Sequence, residues 1–396
     1  MRLKIWLVPA VALVVGAAGL IVATHTSSST RASRPAARPK PPPTHPAQRR
    51  VQVSLVQRLS LSQLAGQRII YAYSGTVPPV SLLAAIRQGE AGGVILFAPN
   101  IGTLEETRSA IGELQRASAA SVIHAPLLIM TDQEGGLVRR LPGAPELSEK
   151  QIGASPDASV VAAESGRAAG LNLASVGINV NLAPVLDVFR QPRNFIDSYQ
   201  RSYSMNPDLV AELGGAFVTA QQQTRVAATA KHFPGLGAAS ASQNTDEAPV
   251  ELNVPLNELR TVDELPYKTA IAADVRMVMT SWATYPALDP RVPAGLSANV
   301  IEGELRGRLG FRGVIITDGI GAGALARYGG VARRGLLAAR AGADLILCSA
   351  HEVAENSPAQ GTAVLHAITK GLADRALSRP SAEAVASRVL ALRQNP

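Results

Sequence analysis

Short apolar segments alternate with longer segments of helical character along most of this chain, and this alternation restricts the folds available to it. The short segments are rich in β-branched and other apolar residues and end at polar residues, Gly or Pro, which is typical of buried strands. Eight such segments are present, at residues 68–73, 93–97, 126–130, 178–182, 227–230, 275–280, 314–317 and 343–347. Strands that are apolar on both faces belong to parallel sheets covered by helices.

Helical segments lie between most of these strands. Their predicted ranges are 80–88, 103–118, 158–175, 207–223, 256–272 and 322–341. Eight strand–helix units between residues 51 and 396 predict an α/β fold of the (β/α)8 TIM-barrel type, built as one catalytic-type domain. A doubly wound open sheet is the alternative.

The first 50 residues do not continue this pattern. Arg2 and Lys4 precede an apolar run at residues 5–22, which is the layout of a signal anchor or a signal peptide within residues 1–23. Because no clear small-residue cleavage site follows, we expect an uncleaved membrane anchor rather than a cleaved signal, and export of the rest of the chain in either case. Residues 24–50 are rich in Pro, Arg and Ser and predict a disordered linker ahead of a barrel domain at residues 51–396.

The charge balance argues against a nucleic-acid partner. Residues 1–50 contain eight of the 38 Lys and Arg residues and none of the 30 acidic residues, so the barrel region is formally neutral. The single cysteine, Cys348, lies in an apolar run and predicts a buried side chain. Histidines at ligand spacing and a phosphate-binding Gly-rich fingerprint are both missing from the sequence, so we predict no metal and no cofactor.

Polar residues follow several of the predicted strands. In a (β/α)8 barrel the active site lies at the carboxyl ends of the strands, so these residues are expected at one rim. They are Asp132 and Glu134 after strand three, Asp187 and Arg201 after strand four, Lys231 and His232 after strand five, and Asp318 after strand seven. Their convergence predicts a pocket for a polar ligand. Asp318 alone could instead cap the next helix, but its position among the others favours a functional role.

Five sequence blocks, in order along the chain, carry a specific resemblance. They are DQEGG at 132–136 followed by Arg140, NVNLAPVLD at 179–187, RSY at 201–203, KHFPG at 231–235 and LGFRGVIITD at 309–318. Together they resemble glycoside hydrolase family three, and in particular its single-domain bacterial β-N-acetylhexosaminidases. The resemblance extends over about residues 55–395.

The resemblance implies a substrate and a role for each matching residue. Asp318 matches the family's nucleophile in a retaining mechanism, in which a covalent glycosyl-enzyme forms and is then hydrolysed. The residues that match the sugar subsite are Asp132, Arg140, Arg201, Lys231 and His232. For the two arginines, a structural salt bridge beneath the rim is the alternative. The implied substrates are β-linked sugars of the N-acetylglucosamine type, such as peptidoglycan fragments.

The sequence departs from the family after KHFPG. There the family usually carries an Asp and a His that form the acid/base dyad, whereas this chain has Ser242 and Asn244. Neither side chain protonates a leaving group as an imidazolium does. Trp282 stands where the family often has a His after strand six. Two-domain members take their acid from a second domain, but the two helical segments after residue 347 are needed here to close the barrel.

Three accounts of the missing acid follow. Asp246 or Glu247 supplies the proton, a partner supplies it, or the protein binds sugar without turnover. Asp246 could also be a solvated charge in a turn. The sequence therefore favours an exported glycosidase, since Asp318 is retained. A non-catalytic cell-surface glycan-binding protein is the alternative, and a transferring or phosphorolytic glycosidase is a third.

Overall fold

The computed structural model describes residues 55–396, which form a closed barrel of eight parallel strands. The strands are β1 (Ile69–Tyr71), β2 (Gly93–Ile95), β3 (Leu128–Thr131), β4 (Val180–Asn181), β5 (Ala227–Phe233), β6 (Met277–Thr280), β7 (Val314–Gly319) and β8 (Leu345–Cys348). Each strand pairs with its neighbours in sequence, and β1 pairs with β8 to close the sheet. The prediction of a (β/α)8 barrel is confirmed, and the open-sheet alternative is wrong.

Helices surround this barrel. They are α1 (Leu61–Gly66), α2 (Val80–Arg87), α3 (Leu104–Ala119), α4 (Glu149–Gly153), α5 (Ala158–Val176), α6 (Phe195–Ser198), α7 (Pro207–Gln222), α8 (Leu256–Glu258), α9 (Leu265–Ala272), α10 (Val331–Ala341), α11 (Pro358–Ala373) and α12 (Arg379–Gln394). Capping boxes begin α1 at Ser60 and α3 at Thr103, because each side chain accepts from a backbone N–H that the first turn leaves free.

Several connections contain shorter elements. They are a hairpin of Gln133–Gly135 with Val138–Arg139, 3₁₀ turns at Ala98–Asn100, Ala294–Leu296, Gly323–Tyr328 and Val353–Glu355, and π-helices at Leu259–Asp263 and Asn299–Arg308. The hairpin extends the chain directly beyond β3. It therefore projects from the carboxyl-end rim of the barrel, where the predicted site residues lie.

Three helical predictions need correction. The segment 256–272 is not one helix, since the π-helix Leu259–Asp263 lies between α8 and α9. The segment 322–341 is also divided, because Gly329 adopts a φ of 85° that ends the 3₁₀ turn before α10 begins. The π-helix Asn299–Arg308 lies where no helix was predicted, since it mixes charged residues with few apolar ones.

Two apolar layers stabilise the barrel. Alternate strand residues such as Ile70, Leu128 and Ile316 fill its interior, while the other residues pack outward against the helices. Val385 and Val389 of α12 belong to the interior layer. Helix α12 therefore closes the amino end of the barrel and leaves the carboxyl end open for a site.

The predicted N-terminal anchor and linker lie outside the described residues. Within residues 55–396, none of the helices is long and apolar enough to cross a bilayer.

Arg393 of α12 holds this closed end together. Its guanidinium donates hydrogen bonds to Gln67, Ser118 and the carbonyl oxygens of residues just before the strands, namely Ala91, Ala125 and Pro126. The side chain is almost fully buried, and burial lowers its pKa to about 9.

We expect Arg393→Met to reduce the free energy of unfolding by about 3 kcal/mol or more, because it leaves several buried acceptors without a donor. Urea denaturation at neutral pH measures the change. Arg167→Met, at an exposed position of α5, is the matched control and should change stability by less than about 0.5 kcal/mol. Equal effects of the two substitutions would contradict this role for Arg393.

Candidate active site

A pocket of about 330 Å³ at the carboxyl ends of the strands is lined by Asp318 and by all five residues matched to the sugar subsite, but not by Glu134 or Asp187. Its polar lining includes Asp132, Arg140, Arg201, Lys231, His232 and Asp318. Apolar side chains of the barrel interior, such as Leu182 and Met279, lie beneath them. The pocket thus combines an apolar floor with ionised walls, as expected for a site that binds a polar ligand.

A chain of ion pairs links three strand ends along one wall. Lys231 Nζ, from β5, lies 2.8 Å from Asp132 Oδ1 and 2.7 Å from Glu134 Oε1. Arg201, from the loop after β4, donates hydrogen bonds to both carboxylate oxygens of Glu134, each at 2.9 Å. The Lys231 and Glu134 side chains are each only 2% exposed. Such buried charges persist because each is paired and hydrogen-bonded.

The ion pairs keep these groups charged. Burial alone would raise the pKa of Glu134, but Arg201 and Lys231 outweigh it and lower that pKa to about 2. The pKa of Asp132 is likewise below its ordinary value, since Lys231 and Arg140 outweigh the cost of burial. Burial opposes the charge on Lys231, yet the two carboxylates raise its pKa. The wall therefore presents fixed charges at neutral pH.

His232 is oriented by a buried carboxylate. Its Nδ1 lies 2.8 Å from Asp187 Oδ2, while Asp187 Oδ1 accepts hydrogen bonds from the backbone N–H groups of Leu236 and His232. Because a carboxylate is an acceptor, Nδ1 carries the hydrogen and Nε2 is directed to Arg201 Nη2 at 3.3 Å. His232 and Arg201 thus hold each other in place in the pocket wall.

The two arginines differ in their surroundings. Arg201 forms the salt bridge beneath the rim that was the alternative to sugar binding, although its side chain also lines the pocket. Arg140 has no ion-pair partner among residues 55–396, and its Nε has no hydrogen-bond partner there. Its guanidinium is therefore available to a ligand.

Asp318 lies at the end of β7 and does not cap a helix. Its Oδ1 accepts a hydrogen bond from the N–H of Gly319 at 2.7 Å, and the next helical turn begins at Gly323. Trp282 Nε1 donates to the Gly319 carbonyl at 2.8 Å, so both the N–H and the carbonyl of the residue after Asp318 are hydrogen-bonded. The side chain remains partly exposed to the pocket.

The loop after β5 brings one further acid into the pocket. Asp246 lines it, whereas Glu247 does not, and the carboxylate of Glu247 is bonded to Asn244 Nδ2 at 3.1 Å. Asp246 is exposed as a whole residue, but the protein around its carboxyl group and the charge of Asp318 raise its pKa to about 6. Asp246 is thus an exposed residue in a turn, as the alternative predicted, and it also lines the pocket.

Some site residues were not assigned from the sequence. Glu134 and Asp187 were recognised at the rim, but their pairing with Lys231, Arg201 and His232 depends on contacts between loops. Nothing in the sequence singles out Glu149 of α4, since acidic residues are common in the first turn of a helix. In the structure it is buried, accepts a hydrogen bond from Val185 N–H, and has a pKa raised well above normal by burial and Glu134.

We expect Glu134→Gln to reduce the free energy of unfolding by about 3–5 kcal/mol at pH 7, because it leaves Arg201 and Lys231 buried with less negative charge. A carboxylate whose folded pKa is depressed stabilises the fold above its ordinary pKa, so the difference should shrink as the pH falls from 4.5 towards 2. Chemical denaturation across this range measures it. Glu164→Gln, exposed on α5, is the control, and equal curves for both variants would contradict the prediction.

Comparisons with known proteins agree with this architecture. The family model described as Glycosyl hydrolase family 3 N terminal domain matches residues 78–392. An uncharacterized secreted glycosyl hydrolase of Arthroderma benhamiae is 44% identical over 335 residues, covering 84% of this chain and 93% of that protein. A beta-hexosaminidase of Xanthomonas oryzae pv. oryzae is 37% identical over 292 residues, covering 72% of this chain and 84% of that protein.

A solved structure shares both the fold and part of the sequence. The family 3 beta-N-acetylglucosaminidase from a Paenibacillus species superposes with a TM-score of 0.79 and 35% identity over 85% of this chain, which spans 62% of that longer chain. Together with the barrel and its rim, these matches show that the chain belongs to glycosyl hydrolase family 3.

Proposed function

We propose that this protein hydrolyses β-linked N-acetylhexosaminides, such as peptidoglycan fragments, through a covalent glycosyl-enzyme on Asp318. The observation that carries the proposal is the position of Asp318 in the same pocket as the ionised wall of Asp132, Lys231 and Arg201. The names of the Xanthomonas and Paenibacillus relatives support the class of sugar.

The wall is suited to holding a sugar in a fixed orientation. Asp132 Oδ1 is used by Lys231, while Oδ2 has no hydrogen-bond partner among residues 55–396, and its side chain is 16% exposed. That oxygen can accept hydrogen bonds from sugar hydroxyls, while Lys231 and Arg140 provide donors nearby. Because Asp132 and Lys231 are already ordered by their ion pair, little reorganisation of these two side chains is needed when a sugar binds.

Asp318 would then attack the anomeric carbon. Gly319 N–H donates to one carboxylate oxygen of Asp318, and Trp282 donates to the Gly319 carbonyl, so the carboxylate and the adjoining backbone are both held in place. The first step forms an ester between Asp318 and the sugar, and the second replaces that ester oxygen with water, so the β configuration is retained. The comparisons do not favour the alternative of a non-catalytic glycan-binding protein.

We also propose that the protein is exported. The apolar run at residues 5–22 and the Arthroderma relative, which is described as secreted, support this. The run would serve as an anchor if it stays attached. N-terminal sequencing of protein from the membrane fraction and the medium decides between an anchor and a cleaved signal.

We expect Asp318→Ala to lower kcat on the order of 10⁴-fold or more, because the variant lacks the carboxylate that forms the covalent glycosyl-enzyme. Hydrolysis of an aryl β-N-acetylglucosaminide measures this. Asp374→Ala, at a surface ion pair with Lys370, is the control and should keep the wild-type rate.

The intermediate itself can be detected. A fluorinated β-N-acetylglucosaminide with an activated leaving group should add one sugar mass to the wild-type protein, and peptide mapping should place it on Asp318. Measurable binding of wall fragments without any adduct or turnover would overturn the proposal and leave a glycan-binding protein.

A further inference from the structure

We propose that Asp246 is the general acid and base of this protein, held beside Asp318 by backbone hydrogen bonds between the loops that follow β5 and β7. This inference rests on the proposed retaining hydrolysis and names the group that moves its proton. It also assigns a positioning role to Gly323.

Ser242 and Asn244, which the family resemblance places at the dyad positions, form contacts within their own loop. Ser242 lies in an exposed turn, where its hydroxyl is 3.4 Å from that of Ser240. Asn244 shapes the loop: its Oδ1 accepts a hydrogen bond from Asp246 N–H at 2.9 Å, and its Nδ2 donates to Glu247. This turn separates two neighbouring acids, since Asp246 lines the pocket and Glu247 does not. Asp246 is therefore the acid of this loop that can reach a substrate.

The loop of Asp246 is attached to the loop of the nucleophile. Gly323 N–H donates to the Asp246 carbonyl at 2.6 Å, and Ala324 N–H donates to the Thr245 carbonyl at 3.1 Å. Thr245 is buried, so the joint is partly protected from water. Gly323 follows Asp318 by five residues in the chain, so these two hydrogen bonds fix the position of Asp246 relative to Asp318.

Gly323 permits this close approach. A Cβ atom added there would lie 2.0 Å from the carbonyl oxygen of Glu247 and 2.4 Å from its carbonyl carbon. Backbone atoms cannot move aside as a flexible side chain can, so any larger residue would displace the loop that carries Asp246.

The charges around Asp246 suit a group that must give up and recover a proton. Asp318 faces it with a negative charge, and Arg201, His232 and His351 face it as cationic or potentially cationic groups. Partial desolvation by the pocket and the charge of Asp318 outweigh the cations and raise the pKa of Asp246 to about 6, although the residue is exposed as a whole. When Asp318 becomes an ester it loses its charge, so the remaining cations favour the ionised form of Asp246.

Asp246 alone can carry the proton in both steps of the reaction. In the first, an oxygen of Asp318 bonds to the anomeric carbon, the glycosidic C–O bond breaks, and the Asp246 proton passes to the leaving oxygen. In the second, water attacks the anomeric carbon while the Asp246 carboxylate takes one of its protons, and Asp318 leaves as a carboxylate. Both carboxyl groups return to their starting states.

Substitution of Asp246 tests the role through the leaving group. For Asp246→Asn, we expect kcat/KM to fall roughly 10² to 10⁴-fold on a disaccharide or alkyl glycoside, which need protonation, and far less on a dinitrophenyl glycoside, which does not. The fall in wild-type activity as the pH rises through about 6 should disappear in the variant. Glu247→Gln keeps the acceptor for Asn244 and is the control, with wild-type behaviour expected on all substrates.

Azide rescue distinguishes a catalytic role of Asp246 from a purely structural one. With Asp246→Ala and an activated aryl glycoside, azide should accelerate turnover and yield the β-glycosyl azide, because an anion attacks the Asp318 ester without needing a base. Equal losses on good and poor leaving groups, with no azide product, would overturn the role of Asp246. Thermal unfolding checks that each variant is folded.

Gly323→Ala tests the joint between the loops. We expect the same selective loss on poor leaving groups, while Gly330→Ala, where an added Cβ meets no atom within 4 Å, should behave like the wild type. Uniform loss on all substrates would overturn the positioning role. Absence of an adduct on wild-type Asp318 would overturn the proposed function and this inference with it, whereas an adduct without leaving-group dependence would overturn this inference alone.

Discussion

The contact of Lys231 with Glu134 is the interaction on which the pocket depends. Lys231 belongs to β5 and Glu134 to the hairpin after β3, so the pair forms only when β3, β4 and β5 have paired side by side. Neither charge could be buried alone, because an unpaired ion in a low-dielectric interior is costly. Arg201 and Asp132 extend the pair in opposite directions. Folding therefore sets both the position and the ionisation of the wall.

Two kinds of acid coexist in this pocket, and their surroundings explain the difference. Glu134 and Asp132 lie against cations that lower their pKa values, so they stay charged and can position a ligand. For Asp246, partial desolvation and the charge of Asp318 raise the pKa to about 6, where a proton can be exchanged during turnover. The first pair is fixed by direct ion pairs, while Asp246 depends on the placement of a loop.

The sequence predicted the barrel well because apolar strands and strand–helix alternation are local signals. All eight strands were located, but their ends shifted by a few residues, since pairing between neighbours decides where a strand stops. Strand β5 continues to Phe233 through the polar Lys231 and His232, which the apolar pattern could not include. Glu149 and Gly323 were not found at all, because their importance comes from contacts with residues distant in sequence.

The family resemblance did not identify the general acid, and a carboxyl group in that role has stricter requirements than an imidazole. An imidazole has an ordinary pKa close to neutrality, so it can act as an acid from a loop that is loosely placed, whereas a carboxyl group becomes a useful acid only where burial and a neighbouring negative charge raise its pKa. A carboxyl acid must therefore lie close to the nucleophile before substrate binds. The joint of Gly323 and Ala324 to the loop of Asp246 meets that requirement in this chain. On this view, the presence of Asn244 rather than an imidazole in this loop and the attachment of the loop belong together, since a carboxyl acid on an unattached loop would be ionised and unable to protonate the leaving group.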